Sequence, residues 1–144
     1  MSIKTLPTLP TMVLQQSSSV LRFDQTRVGW TFVKDVVLEG ERKLQLDTFL
    51  REGESYLVGH TMLERANQMG DCAGQLHAER MLEQQENIPV EWREFRLLFP
   101  GTVWRLPLGR LYVPYLYWHA GGWRLYWYWL GLDFNDCRLV RFGK

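Results

Sequence analysis

Two aromatic runs, residues 111–118 and 123–130, flank His119-Ala120-Gly121-Gly122, and they limit what this chain can fold into more than any other segment. Runs of this composition either side of a glycine-rich turn read as a β-hairpin. A two-residue turn at Gly121-Gly122 and a four-residue turn over 119–122 both pair even positions of the first run with odd positions of the second. The two faces are therefore assigned whichever turn forms. One carries Tyr112, Pro114, Leu116, Trp118, Trp123, Leu125, Trp127 and Trp129 and is expected to face a core. The other carries Leu111, Val113, Tyr115, Tyr117, Arg124, Tyr126, Tyr128 and Leu130. Tyrosine combines a flat apolar ring with a polar tip, so this second face suits a surface that is partly wet or meets a partner.

The hairpin also concentrates the means of building a core. Fourteen of the twenty aromatic residues lie between Trp92 and Phe134. Large rings supply much burial per residue, so a chain of 144 residues is expected to form one core without a disulfide or a metal. Trp92, Trp104, Trp118, Trp127 and Trp129 are expected to be mostly buried.

Upstream the pattern is different. Residues 1–19, with Thr-Leu-Pro at 5–7 and again at 8–10 and then Gln15-Gln16-Ser17-Ser18-Ser19, follow neither a helical nor a strand period and read as a flexible N-terminal tail. A single domain is expected over 20–144, opening with strands at 20–23, 28–38 and 43–50. Thr61 followed by Glu64 forms a capping-box pattern for a helix ending at Gly70. Asp71 then caps a second helix over 72–86, stopped by Asn87-Ile88-Pro89. Further strands follow at 91–99, 102–106, 111–118, 123–130 and 137–142. Strands, two helices and strands again predict an α+β fold: an antiparallel sheet of about five to seven strands with aromatic-rich C-terminal strands. The two short helices, inserted mid-chain and joined at Gly70-Asp71, are expected to pack on one side of it.

Charge narrows the classes of partner. The formal net charge is +1, which argues against a strongly electrostatic ligand such as duplex DNA or an anionic membrane. The distribution is uneven: residues 1–95 hold ten Lys/Arg against fourteen Asp/Glu, a net −4, and residues 96–144 hold seven against two, a net +5. If the C-terminal charges share a face, that face is basic. Cys72 and Cys137 lie far apart without ligand-like spacing and read as free thiols in a reducing compartment. Residues 1–19 lack a continuous apolar signal region, and the run 125–132 is too short to span a bilayer. A cytoplasmic location is expected.

Candidate chemistry is sparse. His77-Ala78-Glu79 matches one fragment of the zinc-deaminase signature, but no P-C-x-x-C follows to complete the ligand set, so His77 and Glu79 are expected on the solvated side of their helix or at its edge. Cys72 at a helix start, with His60 or His77, is a conceivable dyad, because a helix dipole lowers a thiol's pKa. The carboxylate pairs Glu52/Glu54, Glu83/Glu86 and Asp133/Asp136 read as turn or solvated positions. No phosphate loop, nucleophile elbow or H-E-x-x-H is present. No metal and no cofactor are expected.

These observations favour a small non-enzymatic interaction module that uses its aromatic sheet surface or a sheet edge, with Tyr115, Tyr117, Arg124, Tyr126 and Tyr128 as the binding residues. A protein partner or a second copy of the chain is preferred to nucleic acid. Two alternatives accompany it: single-stranded nucleic acid stacked on the tyrosines beside Arg124, and an enzyme with a cleft between helices and sheet in which His60, His77, Cys72 or Asp133 would act.

Overall fold

The hairpin forms, and its turn is the tightest available. In a computed structural model that describes residues 9–15, 20–36 and 40–143, strand β7 (Leu111–His119) pairs with β8 (Gly122–Trp129), with Tyr112 opposite Trp129 and His119 opposite Gly122. Only Ala120 and Gly121 lie between the paired ends, both at positive φ (51° and 83°). Two successive left-handed residues give the turn whose twist matches that of the flanking strands. The face assignment follows the predicted parity.

Before this hairpin come β1 (Met12–Leu14), β2 (Thr31–Lys34), β3 (Arg42–Asp47), β4 (Leu57–Val58), α1 (Gly59–Met69), α2 (Gln75–Glu83), β5 (Leu97–Leu98) and β6 (Val103–Arg105); β9 (Asp133–Phe134) and β10 (Arg138–Phe142) follow it. The fold is α+β. The larger sheet runs β1-β3-β10-β5-β7-β6-β2, with β8 attached to β7, and β4 pairs with β9 in a separate ribbon. All pairings are antiparallel except β10 with β5. Tyr115 and Leu116 of β7 face both β5 and β8, and Leu111 and Tyr112 lie opposite β6. The pairs β5 and β6 therefore share one edge of β7, and β8 is alone on the other.

The helices pack on opposite faces of the sheet, which corrects the expectation of a single side. Leu76, Ala78 and Met81 of α2 share a core with Leu97, Leu116, Trp123 and Val140. Met62 and Ala66 of α1 share another with Leu98, Val113, Leu130 and Leu139. Leu97/Leu98 and Leu139/Val140 are neighbours in sequence, and neighbours in a strand point to opposite faces. The cause is the connection between the helices. Instead of turning at Gly70-Asp71, the chain pairs Cys72 with Arg141 as a β-bridge, Ala73 donates to the Val140 carbonyl (2.9 Å), and Phe142 donates to that of Asp71 (2.8 Å). One short segment thus crosses the sheet, and the second helix emerges on the far side.

Helix boundaries move for the same reason. Residue Thr61 does not cap α1. The helix begins at Gly59, whose amide donates to Leu132 O (2.9 Å), and His60 donates to Leu130 O (3.1 Å). A Cβ at Gly59 would lie 2.5 Å from Leu130 O, so only glycine allows this docking. Helix α2 begins at Gln75, not Cys72; Gly74 is its cap residue, and the Gly74 amide donates to Nδ1 of His77 (3.0 Å).

Three further expectations are corrected. Part of the supposed tail is structured: Met12 and Leu14 are buried, and β1 pairs with β3, although residues 1–8 and 16–19 lie outside the described residues. Residues 20–23 form no strand, and the strand expected at 28–38 is reduced to β2, preceded by a 3-10 turn at Gln25–Val28; residues 37–39 lie outside the described residues. The strand expected from residue 91 opens instead as a 3-10 helix, Val90–Glu94, which sinks Trp92 into the core so that its indole reaches Pro10 O (2.9 Å). Among the expected buried tryptophans, Trp92 and Trp104 are buried and Trp118, Trp127 and Trp129 are half-buried.

Candidate functional site

The five residues selected from sequence do share one face. The rings of Tyr115 and Tyr126 lie 5.6 Å apart, as do those of Tyr115 and Tyr128, and Arg124 stands opposite Tyr117. The protein covers half of this face itself. Tyr128 packs on Phe134 (4.5 Å) and its hydroxyl donates to Asp133 O (3.3 Å). Tyr115 is half-buried, and burial raises its phenol pKa. Tyr117 is half-buried between the Arg96 guanidinium (5.1 Å) and His119. Arg124 is exposed, and Tyr126, at 40% exposure, is the most open of the four tyrosines. A cleft of about 400 Å³ lined by Glu94, Arg96, Tyr117 and Asp136 adjoins this open half.

The C-terminal arginines do not make one basic face. Arg110 covers Trp129 (4.1 Å) on the α2 side of the sheet. Arg141 pairs with Asp47 (3.0 Å), and Arg138, buried, pairs with Asp136.

Among the described residues, the edge of β8 is partly open beside the tyrosines. Leu130 donates its amide to Leu111 O, so even-numbered residues of β8 bond inward to β7 and odd-numbered residues direct N–H and C=O outward. Two of the outward groups are occupied: Trp123 N–H donates to Oε1 of Gln85 (3.0 Å), and Trp129 C=O accepts from the Leu132 amide (3.2 Å). The outward groups of Leu125 and Trp127 have no hydrogen-bond partner among the described residues.

The α2 side holds a polar network that sequence reading missed. Gln75, fully buried, accepts the indole N–H of Trp104 (2.7 Å) and of Trp127 (3.0 Å) on Oε1, and donates from Nε2 to Phe23 O (2.7 Å) and Glu79 (3.0 Å). Glu79 in turn accepts the amides of Arg22 (2.5 Å) and Phe23 (3.0 Å) and pairs with Arg80 (3.4 Å). The segment expected to be a first strand is thus tied across α2 by one buried carboxylate. A glutamine followed four residues later by a glutamate ordinarily reads as a solvated helix face. Only the indole donors on β6 and β8 make it an interior pair.

The residues weighed for catalysis stay apart. His60 and Asp133 are exposed, whereas His77 is buried beside Phe142 (4.9 Å), which corrects its expected position. Glu79 is likewise buried rather than solvated. Among the described residues, no hydrogen bond or ion pair joins any two of His60, Cys72, His77 and Asp133, and no three His, Cys, Asp or Glu side chains gather as a metal site requires. Cys72 is not activated by a helix start, because it precedes the helix inside a β-bridge; burial pushes its thiol up to about 11, as it does that of Cys137. Both thiols are free. Iodoacetamide at pH 8 is expected to leave both unmodified until the protein unfolds, as read by mass spectrometry, because the thiolate is the reactive form.

Comparison of the chain with protein-family models, with curated proteins and with solved structures found no match in any of the three.

Proposed function

We propose that this protein is a non-enzymatic interaction module that holds an extended polypeptide segment by adding it as a strand to β8, with the open tyrosines gripping its side chains. The observation that carries this reading is the outer edge at Leu125 and Trp127, free among the described residues, in an eight-residue strand rich in aromatic rings. Unpaired edge groups are a template for another strand. Most natural edges are blunted by lysine, proline or a bulge. Here Arg124 is the only charged residue in β8. Tyrosine and tryptophan beside such an edge add contact area at little cost in side-chain entropy. The free cysteines support a reducing, cytoplasmic setting, and no helix among the described residues is long and apolar enough to cross a membrane.

The test uses Leu125→Pro. Its amide points away from β7, so proline there removes an edge donor without cutting the β7 ladder. Extended peptides selected from a displayed library on the wild type are expected to lose at least tenfold in affinity for the variant, about 1.4 kcal/mol, while circular dichroism stays unchanged. Equal affinity for both proteins would discard the reading. A labelled single-stranded oligonucleotide is the comparison ligand: binding that Arg124→Ala abolishes and Leu125→Pro does not would transfer the site to nucleic acid stacked on the tyrosines.

A further inference from the structure

The pattern of free and occupied groups along β8 identifies an occupant. We infer that the strand received by β8 is β8 of a second copy, antiparallel, with a two-fold axis at Tyr126. This rests on the strand-addition reading and adds to it the partner and the register.

A two-fold axis at Tyr126 sets each residue opposite the one whose number makes the sum 252, so Leu125 faces Trp127 of the second copy and Trp123 faces Trp129. Leu125 and Trp127 then exchange both hydrogen bonds with their counterparts, which satisfies the outward groups of these two residues that are open among the described residues. The decisive point is at the ends. The donor already consumed at Trp123, by Gln85, would have met the acceptor already consumed at Trp129, by the Leu132 amide. The two missing partners are each other's, so neither is stranded, and the Gln85 side chain and the Leu132 amide cap the shared ladder at its two ends.

A shift of the axis to residue 124 places the occupied Trp123 amide against the carbonyl of Leu125. A shift to residue 128 places the occupied Trp129 carbonyl against the amide of Trp127. Either shift strands a buried backbone group, at a cost of about 1–3 kcal/mol each. An unrelated peptide has no reason to lack an acceptor and a donor at those two places, whereas a copy of β8 lacks them by construction. Isologous contacts are also the commonest route to a closed assembly.

On the tyrosine face the same register sets Tyr126 against Tyr126 and Arg124 against Tyr128. A guanidinium facing an aromatic ring is attracted, and no like charges oppose one another across the interface.

The experiment is light scattering with cysteine cross-linking on the full chain. A mass near twice 17.1 kDa is expected. Even residues are the non-hydrogen-bonded positions of this interface, with Cα atoms about 4.5 Å apart, within the range a disulfide spans. Tyr126→Cys should therefore form a covalent dimer under oxidised glutathione. A mixture of Arg124→Cys with Tyr128→Cys should yield the crossed dimer, while neither variant cross-links with itself. Cys72 and Cys137 are buried and stay outside the reaction. A monomer at all concentrations, or a dimer in which Tyr126→Cys fails to cross-link, overturns the inference. The strand-addition reading survives that failure if the monomer binds selected peptides through Leu125, so the two are separable.

Discussion

Replacing Gln75 with leucine is expected to destabilise the protein by about 3–5 kcal/mol. The leucine fills similar space, so the effect isolates hydrogen bonding. It leaves two indole N–H groups, the Phe23 carbonyl and one bond to Glu79 without their partner in the interior. Each stranded group carries its own desolvation cost, and the four converge on one side chain. Trp127→Phe should cost less, because Gln75 Oε1 still accepts from Trp104. Urea denaturation measures both, and a Gln75→Leu loss below about 1 kcal/mol would mean that the network is not formed. The midpoint temperature should fall by about 10–17 °C. Residues 20–24 should also become accessible to protease, since Gln75 and Glu79 together hold that segment against α2.

Acidification should weaken the fold through His77. Its imidazole is wholly buried, and burial, aided by the nearby Arg42 cation, pushes its pKa down to about 4 from an ordinary value near 6.5. A folded-state pKa below the unfolded value means that the unfolded chain binds the proton first. The contribution of His77 to stability is therefore fully present above pH 6.5 and declines as pH falls toward 4. Across that window the loss is about 3 kcal/mol. The control is His77→Gln. Position 77 is the third residue of α2, where a glutamine side chain can reach back to the cap amide as the imidazole Nδ1 does. This variant keeps the cap and does not titrate, so its stability should vary less between pH 6.5 and 4 than the wild type's. Parallel curves for the two proteins would remove His77 as the cause.

His77 also marks where sequence reading reached its limit. Beside Glu79 and Arg80 it belongs to a run of charged and polar residues that local pattern assigns to solvent, yet residues 75–81 are all buried. Periodicity measures amphipathicity, and a helix covered on both sides has little to show. The helix sits under residues 20–24 on one side and against β7 and β8 on the other, and no local signal encodes that second cover.

The hairpin was determined by the sequence alone. Its strands, its parity and the gathering of Tyr115, Tyr117, Arg124, Tyr126 and Tyr128 on one face all follow from alternation about a glycine-containing turn, because both strands and their connection are contiguous in the chain. The α+β class followed too, from the order of elements. What only the tertiary structure decided depends on distant pairings: the passage of Cys72 and Ala73 through the sheet, which separates the helices, and the Gln75 and Glu79 bonds to residues fifty or more positions away. The open edge of β8 belongs to this second class. A strand's pattern shows which residues face inward and outward, but whether its outer hydrogen bonds are taken depends on every other strand's position, and here β5 and β6 both occupy the opposite edge of β7.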